Sequence, residues 1–127
     1  MLVEITSFGH LHGPGPAAHL TLDLRHHFRD PHHDPAVRHL TARHHTVRDQ
    51  VAATPGIPQL LDATVAAVQA YAAGPSAATH PMTITCSCQG GKHRAAAVAD
   101  ELGRRLAELG HHVHVTHRDI DKPAVDR

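Results

Sequence analysis

The chain has 127 residues, the size of one ordinary domain and enough to bury a hydrophobic core. Lysine plus arginine and aspartate plus glutamate both number 12, so no net charge draws the chain to nucleic acid or to a membrane surface. The chain has no tryptophan, and its three aromatic residues are too few for a platform that stacks single-stranded bases; they are Phe8, Phe28 and Tyr71.

The first half of the chain predicts two strands, a long loop and a short helix. Apolar and polar residues alternate over 2–6 and 20–24, which is typical of strands. Residues 25–46 are rich in His, Arg, Asp and Pro and lack periodicity, so they are predicted to form a functional loop with short helical turns. A short helix is expected over 47–53, before Thr54-Pro55-Gly56.

The second half predicts two helices and two further strands. Apolar residues at helical spacing indicate helices over 57–73 and 93–109, and strands are expected over 82–86 and 112–116. Strands that alternate with helices indicate an α/β fold. We expect a single three-layer-type domain over residues 2–122, with a mostly parallel four- to five-stranded sheet flanked by helices, and a charged tail over 123–127.

Compartment and redox state are also constrained by the sequence. No signal peptide is apparent, and no apolar run reaches the roughly 18 residues of a membrane span. Cys86 and Cys88 lie one residue apart in a predicted strand, where their side chains would point to opposite faces, so no disulfide is expected. The sequence therefore predicts a cytoplasmic protein without a membrane partner.

The most informative segment joins the third strand to the last helix. It contains Cys88, Gln89, Gly90, Gly91, Lys92, His93 and Arg94. A Gly-Gly turn at a helix N-terminus directs backbone N–H groups outward, and three basic residues there oppose the helix dipole unless an anion offsets them. The segment predicts a site for phosphate or a phosphorylated small molecule.

Catalysis and metal binding are the other chemistries to consider. Cys88 and Arg94 have the Cys-x5-Arg spacing of phosphatase loops, in which a thiolate attacks phosphorus, so phosphate-ester hydrolysis is an alternative. His93 and Asp23 are candidate acid–base groups for the same reaction. The 16 histidines do not show convergent ligand spacing, so neither a specific metal site nor another cofactor is expected.

A second group of candidate binding residues follows the second strand. Asp23 and Arg25 come at its carboxyl end, where open α/β sheets bind ligands, and His32 and Arg38 lie in the loop beyond. The alternative reading is a surface Asp–Arg pair together with Asx turns. The turn around His10 and His12 is also close enough in the predicted topology to reach this rim.

Taken together in their order, these segments resemble the C-terminal domain of RapZ, an RNase adapter family. The resemblance rests on residues 6–9, 23–25, 30–35, 37–41, 88–94 and 117–119. It implies an α/β fold likened to a subdomain of 6-phosphofructokinase and a pocket for glucosamine-6-phosphate. It further implies self-association as a homodimer or larger homo-oligomer and, in enterobacterial members, RNA binding that presents a small RNA to an endoribonuclease.

The resemblance also assigns roles to residues of this chain. Gly90, Gly91, His93 and Arg94 would hold the phosphate, whereas three residues would line the sugar end: Asp23, Arg25 and His32. Family members carry a P-loop ATPase domain, but the pattern G-x4-G-K-[ST] does not occur here, so a separate ATPase partner is expected. The glycine loop thus favours a regulatory, non-catalytic domain that binds a phosphorylated small molecule, and the resemblance implies an amino-sugar phosphate; an RNA-binding adapter and a phosphate-ester hydrolase are the alternatives.

Overall fold

A computed structural model describes residues 1–125 and shows one α/β domain with an all-parallel, four-stranded sheet. The strands are β1 (Leu2–Gly9), β2 (Leu20–Asp23), β3 (Met82–Cys88) and β4 (His112–His117), and the helices are α1 (His45–Ala53), α2 (Ile57–Ala72) and α3 (Arg94–Glu108). Short 3-10 turns lie at His10–His12, Pro31–His33 and Ala77–Thr79. The predicted α/β class with a mostly parallel sheet is confirmed.

The sheet order is β2-β3-β1-β4, so β3 and β1 form its centre. Ile5 is paired with Ile84 on one side and Val115 on the other, and this row of apolar side chains faces the core. Helix α3 packs on this face, and Gly103 lets it approach β4 closely: a Cβ there would lie 2.7 Å from Val115 Cγ2. Helices α1 and α2 pack against α3 and complete the core.

The opposite face of the sheet is covered only in part. The connection over residues 10–19 runs from the end of β1 to the start of β2, and the face positions Thr85 and Ser87 beneath that path are buried. Alternate residues of the edge strand β4 on this face, His112 and His114, are exposed. A parallel sheet is usually covered on both faces, so this uncovered strip is unusual.

Two predicted strand ends were wrong. β1 continues through Gly9 rather than ending at Thr6, because Ser7 still pairs with Cys86 and with His117 in the neighbouring strands. β3 likewise continues through Cys88 rather than ending at Cys86. Both extensions bring strand ends to the loop over residues 88–94.

The remaining elements agree with the sequence within one or two residues. Gly110, with a φ of +94°, follows the end of α3, and the long loop contains the expected helical turn at Pro31–His33. No single helix in residues 1–125 is long and apolar enough to span a membrane. Only when α1 and α2 are taken together do their length and composition reach those of a membrane span, and the two helices are bent by 85° relative to each other. Of the tail predicted over 123–127, Asp126 and Arg127 lie outside the described residues.

Candidate functional site

The connection between β3 and α3 is a tight loop that requires glycine. Gly91 has a φ of +77°, in the left-handed region that glycine enters without strain. A Cβ at Gly91 would also lie 2.7 Å from the backbone nitrogen of Gly9, so the loop packs directly against the end of β1. This brings the loop backbone to the N-terminus of α3, the arrangement in which proteins commonly hold anions.

Cys88 lies beneath this loop. Its Sγ accepts the backbone N–H groups of Gly91 at 3.3 Å and of Ala95 at 3.4 Å, and the residue is 2% exposed. Cys86, two residues earlier, is also buried, and burial raises the pKa of its thiol to about 12. A substrate could reach the Cys88 sulfur only if the loop moved, so in this arrangement Cys88 supports the loop from inside.

Beside the loop lies a small cleft built from five separate segments. Its volume is about 10 Å³, roughly the space that one water molecule occupies. Within the described part of the chain, every ionisable side chain that lines it is basic. The lining residues are Leu11, His12, His32, Arg38, Gly90, Lys92, His93, Ala124 and Val125.

Backbone carbonyls hold the basic side chains of the cleft in place. Arg38 Nε donates to the carbonyl of His32 at 2.7 Å, and Lys92 Nζ donates to the carbonyl of Ile120 at 3.0 Å. His93 Nε2 lies 2.6 Å from the carbonyl oxygen of Leu40. Among the residues described, the two Nη groups of Arg38 have no acceptor, so they remain able to donate to an anion.

Arg94 is turned away from the cleft and is 2% exposed. Its Nη1 donates to the carbonyls of Leu24 at 2.9 Å, Arg25 at 3.1 Å and Phe28 at 3.1 Å. Its Nη2 lies 3.0 Å from a carboxylate oxygen of Asp30. Arg94 therefore holds together the loop that follows β2, and through it the turn that carries His32.

Asp23 and Arg25 form an ion pair at the carboxyl end of β2 and do not line the cleft. Arg25 Nη2 lies 2.7 Å from Asp23 Oδ2, and the hydrogen bonds from Arg25 hold the pKa of the Asp23 carboxyl well below its usual range. His10 lies nearby, with its Nε2 3.0 Å from Ser87 Oγ. The pKa of His10 is lowered, mainly by burial and to a smaller extent by the positive charge of Arg25. The pair thus lies near His10, whereas Leu11 and His12 of the same turn line the cleft.

The structure therefore divides the sequence-predicted residues into three groups. Those that line one cleft are His32, Arg38, Gly90, Lys92 and His93. Those that form the frame of the loop or of its surroundings are Cys88, Gln89, Gly91 and Arg94, with the Gln89 carbonyl accepting the N–H of Leu11. Those at the end of β2 are Asp23 and Arg25.

Sequence reasoning left out of its site residues several that shape the cleft. Leu11 and His12 line it, and their signal was the position of the His10–His12 turn directly after β1, whose carboxyl end meets that of β3. Ala124 and Val125 form another wall, and nothing in their sequence marks them for that role.

Asp119, after β4, is a buried carboxylate that connects the segments around the loop. Its carboxylate is 0% exposed, accepts the N–H of Gly9 at 2.8 Å, and pairs with Arg118 at 2.8 Å and with Lys122 at 2.6 Å. Arg118 in turn donates to the carbonyl of Gly13 at 2.9 Å and stacks over the Phe8 ring. The network thus joins the end of β1, the following turn and the residues after β4.

We expect Asp119→Asn to flatten the loss of stability on acidification. Burial alone would raise the pKa of Asp119, but hydrogen bonds from Arg118, Lys122 and Gly9 lower it well below its usual range. A carboxyl whose folded pKa is depressed stabilises the fold above its unfolded pKa of about 3.9 and loses that contribution as pH falls through the folded value. Urea unfolding between about pH 6 and pH 2 measures the slope, because the contribution is lost below the unfolded pKa.

The matched control is Asp121→Asn. Asp121 pairs with Arg43 at 2.9 Å, but both side chains are largely exposed. Its substitution should leave the slope of stability against pH close to that of the wild type. An Asp119→Asn variant with the wild-type slope would contradict the role assigned to the Asp119 network.

Comparison with known proteins identifies the family. The family model described as the RapZ C-terminal domain matches residues 1–121. Proteins called nucleotide-binding protein are 36% identical over 120 residues in Thermobifida fusca, 37% over 121 in a Nocardioides species and 38% over 119 in a Parafrankia species. These alignments cover 94%, 94% and 93% of this chain but 40%, 40% and 41% of the relatives, so the chain spans about two fifths of their length.

The match extends from the first strand to the residues after β4 and includes every segment that builds the cleft except the tail at Ala124 and Val125. It is therefore a match to the whole fold rather than to the glycine loop alone. This chain belongs to the RapZ C-terminal domain family.

Proposed function

We propose that this domain is a regulatory module that binds a phosphorylated small molecule in the basic cleft. The observation that carries the proposal is that all ionisable side chains lining the cleft, within the described residues, are basic and lie beside the N-terminus of α3. Membership of the RapZ C-terminal domain family supports a regulatory binding role. The first candidate ligand is an amino-sugar phosphate, glucosamine-6-phosphate, as the family resemblance implies.

The phosphate would be held by groups of different kinds. Arg38 offers two Nη groups, Lys92 offers its ammonium group, and the loop at Gly90 offers backbone N–H groups. His93 lies at the start of α3 and adds an imidazole at the same wall. Hydrogen bonds from charged donors to phosphate are about twice as strong as neutral ones, so this set favours a phosphate over a neutral sugar.

The other predicted residues take supporting or more distant roles in this proposal. Cys88, Gln89 and Gly91 shape the loop, and Arg94 fixes the backbone that carries His32. Asp23 and Arg25 would meet the sugar hydroxyl and amino groups only if the ligand extended past the His10–His12 turn toward β2.

Binding requires the cleft to open. A volume of about 10 Å³ holds one water, whereas sites for small molecules usually measure about 300–1,000 Å³. Ala124 and Val125 form one wall, and Val125 is 38% exposed, so its side chain is only partly packed. We expect the ligand to enter by displacing these residues.

Calorimetric titration of glucosamine-6-phosphate into the wild type and Arg38→Ala tests the proposal. Inorganic phosphate and ATP serve as comparison ligands. Losing hydrogen bonds to a charged group costs about 1.5–3 kcal/mol, so Arg38→Ala should weaken binding about 10- to 100-fold. The sugar phosphate should bind more tightly than inorganic phosphate.

Arg43→Ala is the matched control, because Arg43 lies in the same loop but pairs with Asp121 and does not line the cleft. It should bind like the wild type. Equal affinity of wild type and Arg38→Ala would exclude the cleft as the site, and no binding of any phosphate compound would reject the proposed function.

The proposal also includes the partners that the family resemblance implies. These are a second copy of the chain and a separate P-loop ATPase. The cytoplasmic location expected from the sequence is also part of the proposal. The relatives' name, nucleotide-binding protein, is not extended to this chain through a Walker motif, since the chain contains no G-x4-G-K-[ST] sequence. Size-exclusion chromatography of the pure chain would reject self-association if the protein eluted as a monomer at all concentrations.

A further inference from the structure

The uncovered strip of the sheet carries two histidines whose rings converge. His112 and His114 are alternate residues of the edge strand β4, so their side chains project from the same face, and both are exposed. Their Nε2 atoms are 3.0 Å apart, and their ring centroids are separated by 4.9 Å. Between neutral imidazoles this separation makes one N–H···N hydrogen bond, which a metal ion would replace.

The separation of the two nitrogens also suits a shared metal ion. Imidazole nitrogen binds Zn²⁺ at about 2.0–2.1 Å and is a preferred ligand of Cu²⁺ and Ni²⁺. Two such bonds at a right angle place the nitrogens about 2.9 Å apart, and tetrahedral bonds place them about 3.3 Å apart. The 3.0 Å between His112 and His114 falls within this range, so both rings are already close to a chelating arrangement.

The surroundings of the pair favour a cation. Glu4 of β1 is the register partner of His114, so its carboxylate is on the same face of the sheet, and it is exposed. No ion pair to Glu4 forms within residues 1–125. A negative charge one strand away attracts a divalent ion without competing interactions of its own.

Other neighbouring histidines do not have this geometry. The rings of His44 and His45 are stacked, and His44 Nδ1 already accepts the N–H of Thr46 at 3.2 Å. The rings of His32 and His33 are 6.0 Å apart and nearly perpendicular. No group of three or more metal-binding side chains is close enough to hold an ion in residues 1–125, so His112 and His114 offer a two-ligand site.

We propose that His112 and His114 form a bidentate binding site for a divalent transition-metal ion on the open face of the sheet. Water completes the coordination of the ion. Cu²⁺ binds most tightly and Ni²⁺ and Zn²⁺ more weakly, as the general order of affinities for nitrogen ligands requires. The site lies on β4 and involves none of the residues that line the basic cleft.

The test is an NMR titration of the full chain, without an affinity tag, with substoichiometric CuCl₂. A bound paramagnetic ion broadens the amide signals nearest to it, so residues 2–6 and 112–116 should lose intensity first. In His114→Ala and in His112→Ala, calorimetry with NiCl₂ should show at least about tenfold weaker binding, because each variant removes one of the two ligands that make the chelate.

His80→Ala is the matched control, because His80 is an exposed histidine far from β4 in sequence. It should retain wild-type broadening and affinity. Broadening that begins elsewhere, for example at the His10–His12 turn, or that is unchanged in both β4 variants would overturn the proposal. Because none of these variants lies in the cleft, phosphate binding should be unaffected, so the two proposals fail separately.

Discussion

Arg94→Met should lower the free energy of unfolding by about 3–5 kcal/mol, the usual cost of removing one partner of a buried ion pair. Asp30 would lose the guanidinium that lies 3.0 Å from its carboxylate, and its side chain is only 11% exposed. Three carbonyls of the loop after β2 would lose the same Nη1 donor. Urea unfolding monitored by circular dichroism measures the loss.

Two further variants separate this explanation from a general effect of losing an arginine. Arg94→Lys keeps the charge but not the planar set of donors, so it should also be clearly destabilised. Arg104→Ala removes an exposed arginine that pairs with Glu101 and Glu108 on the surface of α3, and it should leave stability nearly unchanged. If Arg94→Met unfolded at the same urea concentration as Arg104→Ala, the structural role of Arg94 would be refuted.

The fold could be predicted from sequence because its strands and helices have strong local patterns. Helix α3 combines buried Ala, Val and Leu residues on one face with charged residues on the other, and glycine follows its end. The ends of β1 and β3 could not be predicted, because Ser7, Phe8 and Gly9 look like a turn in isolation. Only pairing with strands that lie more than 70 residues later keeps them extended.

The candidate site was less predictable, because the sequence does not determine which way the side chains of the loop residues point. A basic residue at a helix N-terminus suggests an anion ligand, yet the guanidinium of Arg94 is held by carbonyls 66 to 70 residues earlier. Which way such a side chain turns depends on where the backbone of another loop lies. That position follows from the tertiary structure and has no local signal.

The predicted binding residues that do line the cleft come from only two segments of the chain. Gly90, Lys92 and His93 are adjacent in the chain, and His32 and Arg38 belong to the one long loop that follows β2. In a parallel sheet the carboxyl ends of neighbouring strands meet at one edge, so loops after β2 and β3 are brought together by the sheet order alone. The observed strand order therefore explains this convergence, whereas the wall formed by Ala124 and Val125 depends on the path of the chain after β4.

Gly9→Ala should destabilise the protein by about 1–3 kcal/mol, toward the upper end, because the added methyl group meets backbone and not a flexible side chain. Its Cβ would lie 2.2 Å from the carbonyl carbon of Gly90 and 2.5 Å from the nitrogen of Gly91. The φ of Gly9 is −113°, which any residue adopts, so the effect is purely one of space. Urea unfolding measures it.

The same substitution tests whether the contact between β1 and the loop shapes the cleft. Relief of the clash must move the Gly90-Gly91 backbone away from β1 or break the 2.8 Å hydrogen bond from Gly9 to Asp119. Gly110→Ala is the control: its φ of +94° imposes strain of about 1–2 kcal/mol, but a Cβ there meets nothing within 4 Å, and Gly110 lies at the other end of α3 from the loop. Both variants should therefore lose stability, while only Gly9→Ala should shift the NMR signals of residues 88–94. Equal loop signals in the two variants would mean that the loop keeps its shape without close packing against Gly9, and the role assigned to the contact between β1 and the loop would be rejected.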